Sequence, residues 1–219
     1  MALSMIARCP RTGQFGGVTC AHVIAASPRV LHCAGGVGAV ITQNRSDPRL
    51  GAQGLTLLAA GHDAQQTVDA LVASTPHRHW RQLAVLDAAG NTAAYSGARC
   101  APDVSDAPAR DACAIGTGLL SALAPPAMLR ALFADPAPPL AERLMAALEE
   151  GEKAGGDRQG ARSAALRVMA GPGLPLVDLR IDWDPDPVAA LRALWQRFAP
   201  IVGDLLLRAT DPDNPAVHN

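Results

Sequence analysis

Aromatic side chains are scarce in this chain: 3 Trp, 1 Tyr and 3 Phe amount to 3% of 219 residues. A core assembled from large rings is thereby excluded, and Ala, Val, Leu and Ile must fill the interior. A surplus of charge is missing as well. The 19 Lys and Arg nearly balance 20 Asp and Glu, for a net charge of −1. No basic stripe exists to neutralise phosphates, so no nucleic-acid partner is expected. No apolar run approaches the roughly 20 residues of a membrane helix, and the first residues lack the basic start and apolar stretch of a secretion signal. The expectation is a cytoplasmic protein without a membrane partner. Among Cys9, Cys20, Cys33, Cys100 and Cys113 there is no C-x-x-C pair. Without clustered ligand spacing no metal is expected, and thiols in a reducing compartment read as small apolar side chains. A bridge between Cys9 and Cys20, which flank one predicted hairpin, stays open.

What is present is a chain with 49% hydrophobic and 18% charged residues, long enough for a sizeable core. Residues 3–9 and 16–24 read as strands around a Pro- and Gly-containing turn. Side chains alternate along a strand, so Ala2, Ser4 and Ile6 share one face. A third strand is expected from Val37 to Thr42, after Gly35-Gly36. Two helices follow, one over 53–60 ending at Gly61, the other started by Asp63 with Gln66 three residues on. Strands are expected at 81–87, 92–96 and 112–117, and helices at about 126–134 and 139–151. A Gly-rich polar loop at 155–160 leads to strands at 163–169 and 176–182. Asp186-Pro187 then opens a helix with a cap and Pro at its first position.

Runs of strands separated by pairs of helices argue for antiparallel sheets covered by helices, not for a doubly wound βαβ fold. The expected class is α+β, as a four-layer αββα sandwich. Residues 1–200 are expected to form a single domain, and 201–219 a partly flexible extension whose last residues, from Asp211, fray.

The first eight residues read as a strand that begins at the chain terminus. That placement suits a hydrolase whose α-amino group acts as base for its own first side chain. Several blocks, in order, carry a resemblance: Ser4-Met5-Ile6-Ala7-Arg8, residues 34–43, residues 51–55 with 57–61, Arg81-Gln82-Leu83-Ala84-Val85-Leu86-Asp87, residues 96–100 and 140–144. Residues 154–160 lead into 163–166, and residues 177–180 and 184–188 complete the series. From residue 4 to about residue 198 the chain resembles a bacterial family known as domain of unknown function 1028, grouped with the N-terminal-nucleophile hydrolases. The resemblance implies an αββα sandwich and an ancestral amide-bond hydrolysis that uses no metal and no organic cofactor. Members commonly begin Met-Thr, whereas this chain has Ala2. Their second strand commonly ends in Ser-Arg, where this chain has Ala21-His22. A Gln-Gly-Asn-like stretch is replaced by Ile115-Gly116-Thr117-Gly118, and a Gly- and Tyr-rich insertion is reduced to Gly171-Pro172-Gly173.

Among the residues themselves, Ser4 is the nearest hydroxyl to the terminus and the candidate nucleophile; the alternative is a buried serine bonded to backbone. His22, at the end of the neighbouring strand, is the candidate base. Thr42 and Gln43 leave the third strand at a sheet end, where they bind a polar substrate or satisfy loop backbone. Asp157 and Arg158, in the Gly-rich loop, orient an amine and clamp a carboxylate, or else form an ion pair or an Asx-turn. His77 and His79 lack a neighbouring carboxylate and make a weak metal site. Two functions follow as expectations. The first is an amidohydrolase acting on a small amide; the second is an inactive scaffold that binds a small polar ligand or acts through oligomerisation. The Ala-rich helices over 126–148 offer a self-association face, and a homodimer is the expected assembly.

Overall fold

The computed structural model describes residues 2–214. Its strands are β1 (Ala2–Arg8), β2 (Phe15–Ala21), β3 (Leu31–Ala34), β4 (Gly38–Asn44), β5 (Arg81–Asp87), β6 (Thr92–Ser96), β7 (Ser105–Ala109), β8 (Ala112–Thr117), β9 (Ser163–Gly171) and β10 (Leu174–Ile181). Its helices are α1 (Ser27–Val30), α2 (Pro48–Ala59), α3 (Ala64–Ser74), α4 (Ala124–Ala134), α5 (Leu140–Lys153), α6 (Pro187–Phe198) and α7 (Val202–Thr210). One sheet has the order β10-β9-β2-β1-β8-β7 and the other β3-β4-β5-β6, with every pairing antiparallel.

Alternation along β1 builds the layers. Leu3, Met5 and Ala7 point to a cluster completed by Met128 and Leu132 of α4, Leu144 and Leu148 of α5, and Leu191 of α6. Ala2 and Ile6 point the other way, toward Ala39 and Ile41 of β4 and Ala84 and Leu86 of β5. The outer face of the second sheet sends Val40, Leu83 and Val85 into a third cluster with Leu50, Leu58, Val68 and Leu71 of α2 and α3. Helices, sheet, sheet and helices thus stack as the αββα sandwich expected. The small side chains permit close approach between the sheets. At Gly17 an added Cβ would stand 2.6 Å from the Leu31 side chain and 2.7 Å from the Met5 carbonyl oxygen, so only glycine fits there.

Local chemistry explains most boundaries. The α3 start is a full capping box, with the Asp63 side chain accepting from Gln66 N and the Gln66 side chain accepting from Asp63 N. Asp186 caps α6 ahead of Pro187. The first long helix begins at Pro48, five residues earlier than its apolar spacing indicates, because Asp47 accepts from Arg49 N and Pro48 takes the first position. Gly51 interrupts the pattern there; its missing Cβ makes room for the His32 ring, which would otherwise lie 2.1 Å away.

Three short elements lie outside the sequence expectation: α1, β3 and β7. The first two have only 4 residues each, too few to show a period. β7 contains Pro108, which marks it against a central strand, and it sits at the sheet edge where a missing N–H is tolerated. The second strand stops at Ala21, three residues short of expectation, and the chain turns through Ala25 at φ 48. Of the expected extension, residues 202–210 are helical; of its expected frayed end, 211–214 form a turn, while 215–219 lie outside the described residues. No helix among the described residues is long and apolar enough to cross a membrane.

Candidate functional site

Antiparallel pairing brings the start of β1, the ends of β2, β4 and β8 and the start of β5 to one end of the sandwich. Between them opens a cavity of about 360 Å³, bounded by Ala2, His22, Arg29, Gln43, Arg45 and Ser46 among others. A neighbouring cavity of about 290 Å³ shares His22, Asn44 and Arg45 with the first and adds Trp80, Arg99 and Gln159. The shared walls make a groove across the end of the sandwich.

Beneath it runs a buried polar thread. Ser4 and Thr19 face each other across the β1–β2 pair, and Gln43 and Gln82 across the β4–β5 pair. Thr19 Oγ1 lies 2.8 Å from Ser4 Oγ, and Ser4 Oγ donates to Gln43 Oε1 at 2.6 Å. Gln43 Nε2 donates to Gln82 Oε1 at 2.7 Å and approaches the Ala2 carbonyl at 3.3 Å. Gln82 Nε2 then donates to Ser96 Oγ at 3.1 Å and to the Gly116 carbonyl at 3.0 Å. Every member is hydrogen-bonded, as groups removed from water must be. The thread locks the two sheets together beneath the cavity.

At the mouth, the imidazole Nδ1 of His22 lies 3.2 Å from Asp157 Oδ2, which also accepts from His22 N at 3.1 Å. The other carboxylate oxygen accepts from Gln159 N at 2.9 Å, an Asx-turn that shapes the Gly-rich loop. The Asp157 side chain is fully buried and that of His22 only partly so. Cations dominate the rest of the rim. Arg45 and Arg99 lie over the Trp80 ring with their guanidinium carbons 5.7 and 5.6 Å from its centroid. Among the described residues, Arg29, Arg45 and Arg99 are exposed and make no ion pair with a carboxylate. Asn44 holds the rim in place: its Nδ2 donates to the Trp80 carbonyl at 2.7 Å, and its Oδ1 accepts from Ala101 N at 3.2 Å. It does so from φ 71, a left-handed conformation that asparagine tolerates.

The candidates read from the sequence divide accordingly. His22 and Gln43 line the cavity. Ser4 is 0% exposed and belongs to the thread below it. The expected Ser4–His22 pair does not form, because Ser4 bonds to Thr19 and Gln43 whereas His22 bonds to Asp157. Thr42 follows strand alternation to the opposite face, where its hydroxyl accepts from Asp47 N at 3.4 Å. Asp157 reaches the site through His22. Arg158 pairs instead with Asp103 and donates to the Leu119 carbonyl at 3.1 Å, outside both cavities. The sequence reading missed Arg29, Arg45 and Arg99, scattered single arginines that only the fold gathers.

All five cysteines are free. Burial raises the thiols of Cys20 and Cys33, the latter to about 12, which leaves neither as a ready nucleophile. No group of three or more His, Cys, Asp or Glu among the described residues is placed to hold a metal ion.

Comparison with known proteins bears on this arrangement. The model of a family of unknown function, DUF1028, matches residues 2–191. The crystal structure of a Silicibacter pomeroyi protein, described as belonging to that family, aligns with 90% of this chain and 88% of that chain, at 30% identity and a TM-score of 0.83. Anbu (ancestral beta-subunit) from Yersinia bercovieri aligns with 91% of this chain and 96% of that chain, at 11% identity and a TM-score of 0.43. No curated protein matches the chain.

Proposed function

The chain belongs to the DUF1028 family of unknown function, and we propose that it binds a small anionic ligand on an αββα scaffold of hydrolase type without using β1 as its source of a nucleophile. One observation carries this reading. The β1 residue that lines the cavity is Ala2, a bare methyl, and the next hydroxyl on that face, Ser4, is sealed in the thread below. Around that inert floor stand three arginines with no carboxylate partner among the described residues. A planar guanidinium fork recognises carboxylate or phosphate oxygens, and Asn44 and Ser46 add polar contacts beside it.

A second reading rests on the His22–Asp157 pair. An imidazole oriented by a buried carboxylate is the arrangement of a general base, and at this mouth it would deprotonate a water that attacks a small amide. Succinate and its uncharged diamide separate the two. Ligand binding predicts that succinate raises the melting temperature, that the diamide does not, and that Arg45→Glu abolishes the shift. Release of ammonia from the diamide by wild type, lost in His22→Ala and kept in Ser4→Ala, would replace binding with hydrolysis.

A further inference from the structure

The far end of β1 carries a second cavity, of about 450 Å³, unrelated to the groove above. Its walls include Cys9, Arg11, Phe133, Pro136 and Arg143. Phe133 is exposed although large and apolar, and it gives the cavity a greasy side. The charged groups that face it are Arg8, Arg11, Arg143 and Asp111. Arg8 is spent on Asp111, at 2.8 Å. Among the described residues, the Arg11 side chain meets only the Ala137 carbonyl, at 3.2 Å. Arg143 is the unusual one: it is only 7% exposed, and its side chain's single hydrogen bond among the described residues runs from Nε to the Leu132 carbonyl at 3.0 Å. No acceptor among the described residues meets its two terminal nitrogens, and the residue lines the cavity. A guanidinium withdrawn from water needs an anionic or carbonyl partner to offset the cost. Two uncompensated positive charges beside an apolar wall describe a site for an organic anion.

In the same cavity lies a thiol. Cys9 closes the β1–β2 hairpin, where its carbonyl accepts from Thr12 N and Gly13 N. Burial by itself raises the Cys9 thiol. Hydrogen bonds from the Thr12 hydroxyl and from the N–H groups of Thr12 and Arg11, with the charge of Arg143, outweigh that burial and bring it below the usual value. The other four cysteines are all shifted upward.

We propose that Cys9 is a thiolation site for a soluble disulfide whose substituents carry carboxylates, which Arg11 and Arg143 hold while Phe133 covers the carbon skeleton. In the step, the Cys9 thiolate attacks one sulfur of the disulfide and a new Sγ–S bond forms as the old S–S bond breaks. The electron pair leaves on the second sulfur, which departs as a thiolate and takes a proton from water. The incoming disulfide is the oxidant, so electrons balance without another reagent.

The test compares oxidised glutathione, which is anionic, with cystamine, which is cationic, on the whole protein near neutral pH and low salt, with adducts mapped by peptide mass. Cys100 is the internal control, since it is more exposed than Cys9 but donates to the Arg81 carbonyl and has a raised thiol. The expected result is a single glutathione adduct on Cys9, formed about tenfold faster than any on Cys100. Glutathione disulfide should outpace cystamine by about threefold, a gap that salt closes. Arg11→Glu, on an exposed turn, should reverse that preference. Cys100 reacting first, Cys9 staying unmodified in the folded protein, or equal rates with the two disulfides would each overturn the proposal.

Discussion

The two layers in contact with the first sheet differ in kind. Toward α4, α5 and α6 the core cluster is apolar; the buried Arg143 opens on the cavity at the far end of β1, and Arg192 bridges Glu142 and Glu149 at the rim. Toward the second sheet, apolar residues share the space with Thr19, Ser4, Gln43 and Gln82, all buried. Apolar packing is non-directional: it demands volume and tolerates rearrangement. A chain of hydrogen bonds demands one register, since a slip of either sheet leaves several buried donors without acceptors. The helix-facing layer therefore supplies stability, while the layer between the sheets fixes the floor of the groove. The same strand, β1, serves both through alternate residues.

The largest effect should come from the apolar side. Leu144→Ala removes a fully buried side chain from the centre of the helix layer and should cost about 3 kcal/mol in urea unfolding. The melting shift caused by succinate should be unchanged. A loss of that shift would show that the two layers are not independent.

Next comes Gln43→Met, nearly equal in volume but without the amide. It strips Ser4 Oγ of its acceptor and Gln82 Oε1 of its donor, for a loss of about 2 kcal/mol. Here the succinate shift should fall as well, because Gln43 lines the groove. Combined with Ser4→Ala, the losses should be sub-additive by about 1 kcal/mol, as expected of two members of one network. Strict additivity would mean that the thread does not act as a unit.

Much of this architecture was legible beforehand. The strands 81–87, 92–96 and 112–117 coincide with β5, β6 and β8, because alternation and flanking turns are local signals. The Asp63 and Asp186 caps are local too. The order of strand runs and helix pairs carried the layers. The site was less legible. Gln43 lies near the end of its strand, as expected, whereas His22 falls just past the end of β2, and both line a cavity. Ser4 was on the right face but one residue pair too deep, and depth depends on how far the opposing sheet covers it. Arg29 comes from the short helix α1, Arg45 and Arg99 from two separate loops, and no spacing in the sequence announces that they meet. Thr42 and Gln43 are adjacent yet face opposite layers, so grouping them ignored the period-two rule that the same strand obeys.

The smallest expected effect concerns acid titration, with one carboxylate on each side of the sandwich. Asp87, the last residue of β5, is buried, which alone would raise its carboxyl. Hydrogen bonds from the side chain and N–H of Asn91 and from the N–H of Ala64 and Ala89 outweigh burial and hold it below the usual value. Glu152, on α5, receives no such donors among the described residues; burial first, then repulsion by Asp186 and Glu149, raises it. The signs are opposite. The lowered Asp87 contributes stability that is present above its unfolded value and lost as pH falls through the folded one. The raised Glu152 contributes stability that is present below its unfolded value and lost as pH rises through the folded one. Melting curves from about pH 3 to about pH 8 should therefore show Asp87→Asn less stable than wild type at neutral pH, converging toward it in acid. Glu152→Gln should be more stable than wild type at neutral pH and also converge in acid. If both variants instead ran parallel to wild type across the range, neither carboxylate would carry the charge dependence that its surroundings impose.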